Sequence, residues 1–283
     1  MTVKLIALDL DGTLLTDDKK VSSGNREAIH WATEKGVDVA FATGRSIGII
    51  PPDAFSIPDI RYMITSNGAI VSDRLNGMIS HEYIPAEAVD MLTELLCRRE
   101  DMVEVFVNGT AHTQRIYNEE ICEAVKRGQN PYYYYYHRVS EDDIFGFMKK
   151  NRNVIEMIIV NFQRGEDPRM KLMTKDQIEQ IPGLCATTSL PYNIEIVSGT
   201  AGKGNALVKL AELLGIERDQ VVSMGDSLND MTMPDVSGIC VAMGNGREEV
   251  KDQADIVTKS NMDDGVAAAI YEILGSGSQE ESK

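Results

Sequence analysis

Val3-Lys4-Leu5-Ile6-Ala7-Leu8-Asp9-Leu10-Asp11-Gly12-Thr13 begins as an apolar run and ends in two carboxylates two residues apart. A short apolar run bounded by a turn signal reads as a buried strand. The carboxyl end of such a strand is where open α/β sheets carry their chemistry. Four fixed letters within five residues also arise by chance, so the pattern gains meaning only from partners further along the chain.

Outward from this stretch the chain reads as a βαβ unit. Ser22-Ser23 caps a helix that carries Ala28, Ile29 and Ala32 on one face and stops at Gly36, and an apolar strand, Val37 to Ala42, follows. A third strand, Tyr62 to Thr65, precedes the turn Ser66-Asn67-Gly68 and a short β segment. From about Glu82 the pattern changes. A Leu-rich helix, Glu87 to Arg98, leads into a hairpin, Met102 to Val107 and Thr110 to Ile116, joined by Asn108-Gly109. That turn also explains Asn108-Gly109-Thr110, which matches a glycosylation sequon. Helices are predicted at Glu119 to Arg127, Ser140 to Lys150 and Pro168 to Gln180, the second opened by a capping box, Ser140-x-x-Asp143. A strand, Val154 to Phe162, separates the last two, and the Tyr132 to Tyr136 run reads as a strand or strand edge with alternating rings.

From Tyr192 the alternating βα pattern resumes. It has strands at Asn193 to Val197, Gln220 to Met224, Ile239 to Ala242 and Asp255 to Thr258, and helices at Asn205 to Leu214 and Asp263 to Leu274. The expectation is an α/β protein whose first and last thirds, residues 1–82 and 191–275, form one parallel sheet, interrupted by an α+β insert over 83–190. The Gly, Ser and Glu-rich tail, 276–283, is expected to be disordered.

The chain has 283 residues, 43% of them hydrophobic, enough for two domains with real cores. A formal charge of −16 speaks against nucleic acid or anionic lipid as a partner. Cys97, Cys122, Cys185 and Cys240 form no metal or disulfide spacing and read as four buried thiols, and the four histidines share no metal-ligand spacing. No leader pattern or membrane-length apolar run is visible, so a cytoplasmic protein is expected, with no membrane partner and an oligomeric state the sequence leaves open.

The partners of the opening motif are Thr43-Gly44-Arg45, Lys203-Gly204 and Gly225-Asp226-x-x-Asn229-Asp230, each just after a predicted parallel strand or at a helix start. Phosphoryl transfer calls for this kind of set, because charge on the peripheral phosphate oxygens demands positioned cations beside an in-line nucleophile. Asp9 suits the nucleophile, and Asp11 suits the general acid that protonates the leaving alkoxide and then activates water. Gly12 permits the sharp turn and Thr13 braces the loop. Thr43 and Gly44 offer a hydroxyl and amides to the phosphate, and Lys203 offers a compact cation at a helix N-terminus. An all-oxygen set of Asp9, the Asp11 main-chain carbonyl and Asp226 suits Mg2+.

In order and placement these motifs resemble the haloacid dehalogenase (HAD) superfamily. The insert, with Asn67-Gly68-Ala69 and Gly244-Asn245-Gly246, is similar to its Cof-type branch of sugar phosphatases. The resemblance spans about residues 3–274. It implies a Rossmann-like core with an inserted α+β cap, and hydrolysis of a small phosphorylated metabolite through an aspartyl phosphate. It also implies that Asp11 marks a phosphatase or mutase, that Asn229 contacts phosphate, and that Asp230 is a metal ligand or supports one. Arg45 divides between substrate and a core carboxylate. Pro234 departs from the family pattern, because it shortens or kinks the helix expected there. The insert is expected to act as a lid that excludes water and selects the leaving group, with His112 and Gln114 as candidate polar contacts. A phosphomutase or phosphotransferase would use the same nucleophile, and a retired sensing protein is a third reading.

Overall fold

The computed structural model describes residues 2–126, 138–162, 168–188 and 192–276. The tyrosine run and nearly all of the C-terminal tail lie outside them. The chain divides into two compact units, one of Met1–Gly44, Ile50–Ser80 and Gly202–Lys283, the other of Arg45–Ile49 and His81–Ala201.

The first unit begins with β1 (Leu5–Leu8), α1 (Ser23–Glu34) and β2 (Asp38–Ala42), followed by α2 (Pro52–Phe55), β3 (Ile60–Thr65), β4 (Ile70–Asp73) and β5 (Gly77–His81). Ser22 caps α1 as its sequence implies, its hydroxyl accepting from the Asn25 amide at 3.1 Å. The chain leaves that helix through Gly36 at φ +79°, a conformation that favours glycine.

The second unit contains α3 (Ala86–Leu96), β6 (Met102–Val107), β7 (Thr110–Gln114), α4 (Arg115–Lys126), β8 (Arg138–Glu141), α5 (Ile144–Lys150), β9 (Ile155–Asn161), α6 (Pro168–Glu179), β10 (Leu184–Thr187) and β11 (Asn193–Ser198). Its six strands run in the order β10-β11-β9-β6-β7-β8. Val103, Val105, Ile158, Val160, Ile194 and Ile196 meet Val89 and Leu92 of α3, Met148 of α5 and Ile178 of α6 in one core. Asn108 and Gly109 turn the hairpin with φ of +50° and +78°, the left-handed pair a two-residue turn requires. His112 bonds Glu141 and stacks on Phe147, while Gln114 bonds the Asp101 carbonyl and the Val103 amide, so both serve this unit's internal packing.

Several expectations change here. Ser140 lies in β8, and Asp143 alone caps α5 by accepting from the Gly146 amide at 2.8 Å. The residues from Arg115 onward turn helical, so the hairpin's second arm ends at Gln114. Asn193–Ser198 pairs antiparallel with β9 in the smaller sheet and does not join the parallel one, because strand alternation carries no information about the partner. Of the cysteines only Cys240 is buried; Cys97 and Cys122 are exposed and Cys185 is half-buried.

Returning to the first unit, the chain adds α7 (Lys203–Leu214), β12 (Val221–Gly225), β13 (Ile239–Ala242), α8 (Glu248–Lys251), β14 (Ile256–Val257) and α9 (Gly265–Ser276). The eight-stranded order is β14-β13-β12-β1-β2-β3-β4-β5, parallel from β14 to β3. Leu5, Ala7, Ala40, Ala42 and Ile64 pack with Ala206, Leu207 and Leu210 of α7. Burying each Leu or Ile side chain contributes about 1.5–3 kcal/mol. Pro234 stands in a 3₁₀ turn, Pro234–Val236, and the stretch from Leu228 to Val236 forms two such turns in place of a helix.

The register positions the chemistry. Leu8 pairs with Met224 on one side and Phe41 on the other, so Asp9, Gly225-Asp226 and Thr43 leave their strands at the same end of the sheet. Among the described residues no helix is long and apolar enough to cross a membrane.

Candidate active site

At that end of the sheet Asp9 is buried and its Oδ1 accepts from Lys203 Nζ at 2.7 Å. The same ammonium donates to Asp230 Oδ1 at 2.7 Å, and the Lys203 side chain has no exposed surface. Lys203 is the first residue of α7, and its neighbour Gly204 is needed because a Cβ there would stand 2.2 Å from the Thr232 carbonyl oxygen. Asp230 Oδ2 accepts from the amides of Asp226 and Ser227, both at 3.0 Å, which closes the loop after β12 into a cap on its own carboxylate. Gly225 admits that cap, since a Cβ would lie 2.5 Å from Asp230 Cγ.

Thr13 holds the opposite side of the loop, its hydroxyl donating to Asp226 Oδ1 at 3.2 Å. Gly12 sits between them at φ +87°, where a Cβ would come 2.4 Å from Asp226 Oδ2. We therefore expect Gly12→Ala to lower activity at least about tenfold, because both the left-handed backbone and the close approach exclude a methyl group. Thermal melting and turnover measured together check this, and an Ala variant with native turnover would contradict it.

A second chain of contacts joins the remaining loops. The Thr43 carbonyl accepts from the Asn67 amide at 3.1 Å, and Asn67 Oδ1 accepts from Asn229 Nδ2 at 3.1 Å. Asn229 Oδ1 in turn accepts from the Ser227 hydroxyl at 2.7 Å. Ser66, Asn67 and Gly68 all have positive φ, and a Cβ on Gly68 would lie 2.3 Å from the Gly202 carbonyl oxygen, so this turn packs backbone to backbone on the start of α7. Gly44 lies against Asn67, with a built Cβ 2.9 Å from Asn67 Oδ1.

Asp9, Thr13, Lys203, Asp226 and Asp230 thus share direct bonds or atoms in close approach, and Thr43, Gly44 and Asn229 meet through Asn67. Asp11 points its carboxylate to Lys19 Nζ at 2.8 Å. Arg45 belongs to the second unit, where its guanidinium donates to the Ile49 carbonyl at 2.8 Å. Sequence reasoning gave no role to Asn245, whose amide donates to the Gly12 carbonyl at 2.7 Å and whose Oδ1 accepts from the Asn261 amide at 2.8 Å. The Gly-Asn-Gly signature marked the position. Its bond to the loop after β1, more than 200 residues away, needed the fold.

Burial pushes the Asp9 carboxyl well above the ordinary carboxylate value, Lys203 pulls it back, and Asp230 and Asp226 push it further up. Asp226 is raised to about 6, first by burial and then by Asp230, against the pull of Lys203 and the Thr13 hydroxyl. Burial alone would lower Lys203, but Asp230 and Asp9 together outweigh it and hold the ammonium charged.

Three carboxylates confront one lysine, and Asp9, Asp226 and Asp230 offer oxygens all within 4.8 Å of one another. Among the described residues no donor reaches Asp9 Oδ2 or Asp226 Oδ2, whereas both Asp230 oxygens are engaged. An unneutralised hard-oxygen set of this kind fits a divalent cation such as Mg2+. Asp9 and Asp226, each with one oxygen that no donor among the described residues reaches, are the two carboxylates that could hold such an ion, while Asp230 bonds the lysine and its own loop.

A model of haloacid dehalogenase-like hydrolases matches residues 6–270. The chain is 31% identical over 268 residues to the Bacillus subtilis (strain 168) 5-amino-6-(5-phospho-D-ribitylamino)uracil phosphatase YcsE, covering 95% of this chain and 94% of that protein. It is 28% identical to the pyridoxal phosphate phosphatase YbhA of Escherichia coli (strain K12), covering 97% and 100%. Among solved structures, a haloacid dehalogenase-like hydrolase from B. subtilis superposes with a TM-score of 0.81 at 27% identity, over 96% of this chain and 100% of that one.

Proposed function

Since the chain belongs to the haloacid dehalogenase-like hydrolases and is a phosphoric monoester hydrolase of that family, we propose that it is a Mg2+-dependent phosphatase of small sugar or polyol phosphates that works through an aspartyl phosphate on Asp9. The carrying observation is the buried Lys203 bridging Asp9 and Asp230 beside Asp226 at the carboxyl end of β1.

In this reading an Asp9 carboxylate oxygen attacks phosphorus, the ester P–O bond breaks, and Asp11 gives its proton to the departing alkoxide. Asp11 then takes a proton from water, which attacks the aspartyl phosphate, releases inorganic phosphate and restores Asp9. Lys203, the Thr43 hydroxyl, the Gly44 amide and Asn229 bind the phosphate oxygens, and Thr13 and Asp230 hold the loops that carry Asp9 and Asp226. Bound Mg2+ would neutralise charge on the phosphoryl group and lower repulsion between it and the Asp9 carboxylate. A phosphoribityl compound in the name of one relative supports a polyol phosphate, and pyridoxal phosphate in the name of another supplies the competing candidate.

Inorganic phosphate release from a panel of sugar phosphates, polyol phosphates, nucleotides, pyridoxal phosphate and flavin mononucleotide tests this. We expect release that EDTA abolishes and Mg2+ restores, with the highest kcat/KM on a sugar or polyol phosphate. Release that persists in EDTA would remove the metal from the proposal. Transfer of phosphate to an added sugar without release to water would replace hydrolysis by a mutase reaction.

A further inference from the structure

We propose that Lys19 is a positioning residue for the Asp11 carboxyl, holding it where the leaving-group oxygen of a phosphate ester departs. The inference rests on the assignment of Asp11 as general acid.

The pair is formed within one short loop. Lys19 Nζ lies 2.8 Å from Asp11 Oδ1, eight residues back along the chain. Between them Thr16 closes a turn, its amide donating to the Lys20 carbonyl at 2.9 Å while its own carbonyl accepts from the Lys19 amide at 2.9 Å. The Thr16 hydroxyl adds a bond to the Lys20 carbonyl at 2.9 Å. From outside, Asn261 Nδ2 donates to the Leu15 carbonyl at 2.9 Å, and the Asp17 amide meets Met262 Sδ at 3.3 Å. The Asp11 end is anchored as well, because Asn245 holds the Gly12 carbonyl. Two fixed points thus carry the two side chains toward one another.

Lys19 adopts φ +60°, a left-handed conformation that glycine or asparagine enters at lower cost. Its side chain is 29% exposed and that of Asp11 38% exposed, and ion pairs this wet contribute little to folding. Backbone conformation and stability therefore both fail to account for a lysine here. What lysine adds is a three-donor ammonium on the carboxylate, which restricts the Asp11 side-chain torsions without burying the group. A general acid gains from such restriction, since its proton must stay within hydrogen-bond reach of the departing oxygen's lone pair.

The test uses leaving groups of different basicity. An alkoxide requires a proton as it departs, whereas p-nitrophenolate leaves without one, and kcat/KM reports the steps through that departure. For Lys19→Met we expect kcat/KM on the best alkyl phosphate of the panel to fall about tenfold or more, a part of the roughly 10²–10⁴-fold that a general acid contributes, and on p-nitrophenyl phosphate less than about threefold. Lys19→Gly, which keeps φ +60° at no cost, is expected to match Met, and Lys19→Arg to recover at least a third of native activity. Equal losses on both esters, or no loss on either, overturn the proposal. Asp11→Asn serves as reference. If it shows the leaving-group split and Lys19→Met does not, the role of Lys19 falls and that of Asp11 stands. If Asp11→Asn shows no split, the general-acid assignment falls and takes this inference with it.

Discussion

Asp9→Asn is expected to lower kcat by a factor of roughly 10² or more while the melting temperature stays level or rises. The amide keeps the shape of the carboxylate and can still accept from Lys203, but its oxygen is too weak a nucleophile for the proposed attack on phosphorus. The stability half follows from the electrostatics. Asp9 is buried, its carboxyl is raised well above the usual value by desolvation, and Asp230 and Asp226 repel it. A neutral side chain removes that repulsion, and Asp230 remains to pair Lys203 at 2.7 Å. Steady-state kinetics with thermal melting on the same preparation reads both. Near-native turnover would remove Asp9 from the nucleophile role, and a large fall in melting temperature would make the lost activity a matter of folding.

Lys203→Met is expected to damage both quantities. The ammonium lies between two buried carboxylates at 2.7 Å each, and removing one partner of a buried ion pair typically costs about 3–5 kcal/mol because the remaining charge is left uncompensated. For a chain of this size that corresponds to a fall in melting temperature on the order of 10 °C. Turnover is expected to drop by ~10² or more, since the cation that the proposed mechanism sets against the phosphate is lost along with the orientation of Asp9. The double variant Lys203→Met with Asp230→Asn separates the effects. It is expected to regain part of the stability, having one fewer unpaired carboxylate, and none of the activity. Equal melting temperatures for native protein and Lys203→Met would show that the pair contributes nothing to the fold. Recovered turnover in the double variant would show that Lys203 acts only by balancing Asp230.

Much of this molecule is legible in its sequence where the signal is local. Ser22 caps α1 with its own hydroxyl, Gly36 ends it, and Asn108-Gly109 turns the hairpin, each through an interaction spanning a few residues. The apolar run before Asp9 forms β1, and Lys203 opens α7. Readings failed where two local signals look alike. The Ser140-x-x-Asp143 pattern has the letters of a capping box, but Ser140 is in a strand that pairs with β7, so only Asp143 caps. The cysteines, read as buried from the habit of the residue, are exposed at Cys97, just past the end of α3, and at Cys122 on α4, since exposure follows from which surfaces the tertiary packing covers.

By itself the sequence determined the residue types and their order: two carboxylates after the first strand, a lysine at a helix start and an acidic loop near the end, an order and placement that resemble a phosphoryl-transfer family. Only the tertiary structure decided which of them meet. β1 lies between β2 and β12, which brings Asp9 beside Asp226 across more than 200 residues of chain. The structure also placed Asn193–Ser198 in the smaller sheet, set Asn245 against Gly12, and turned Lys19 onto Asp11. The physical reason is that caps, turns and apolar periodicity act over a few residues and are written where they act. Strand partners, and hence the contacts of the loops that follow them, are selected by long-range burial and hydrogen bonding among segments whose local patterns are interchangeable.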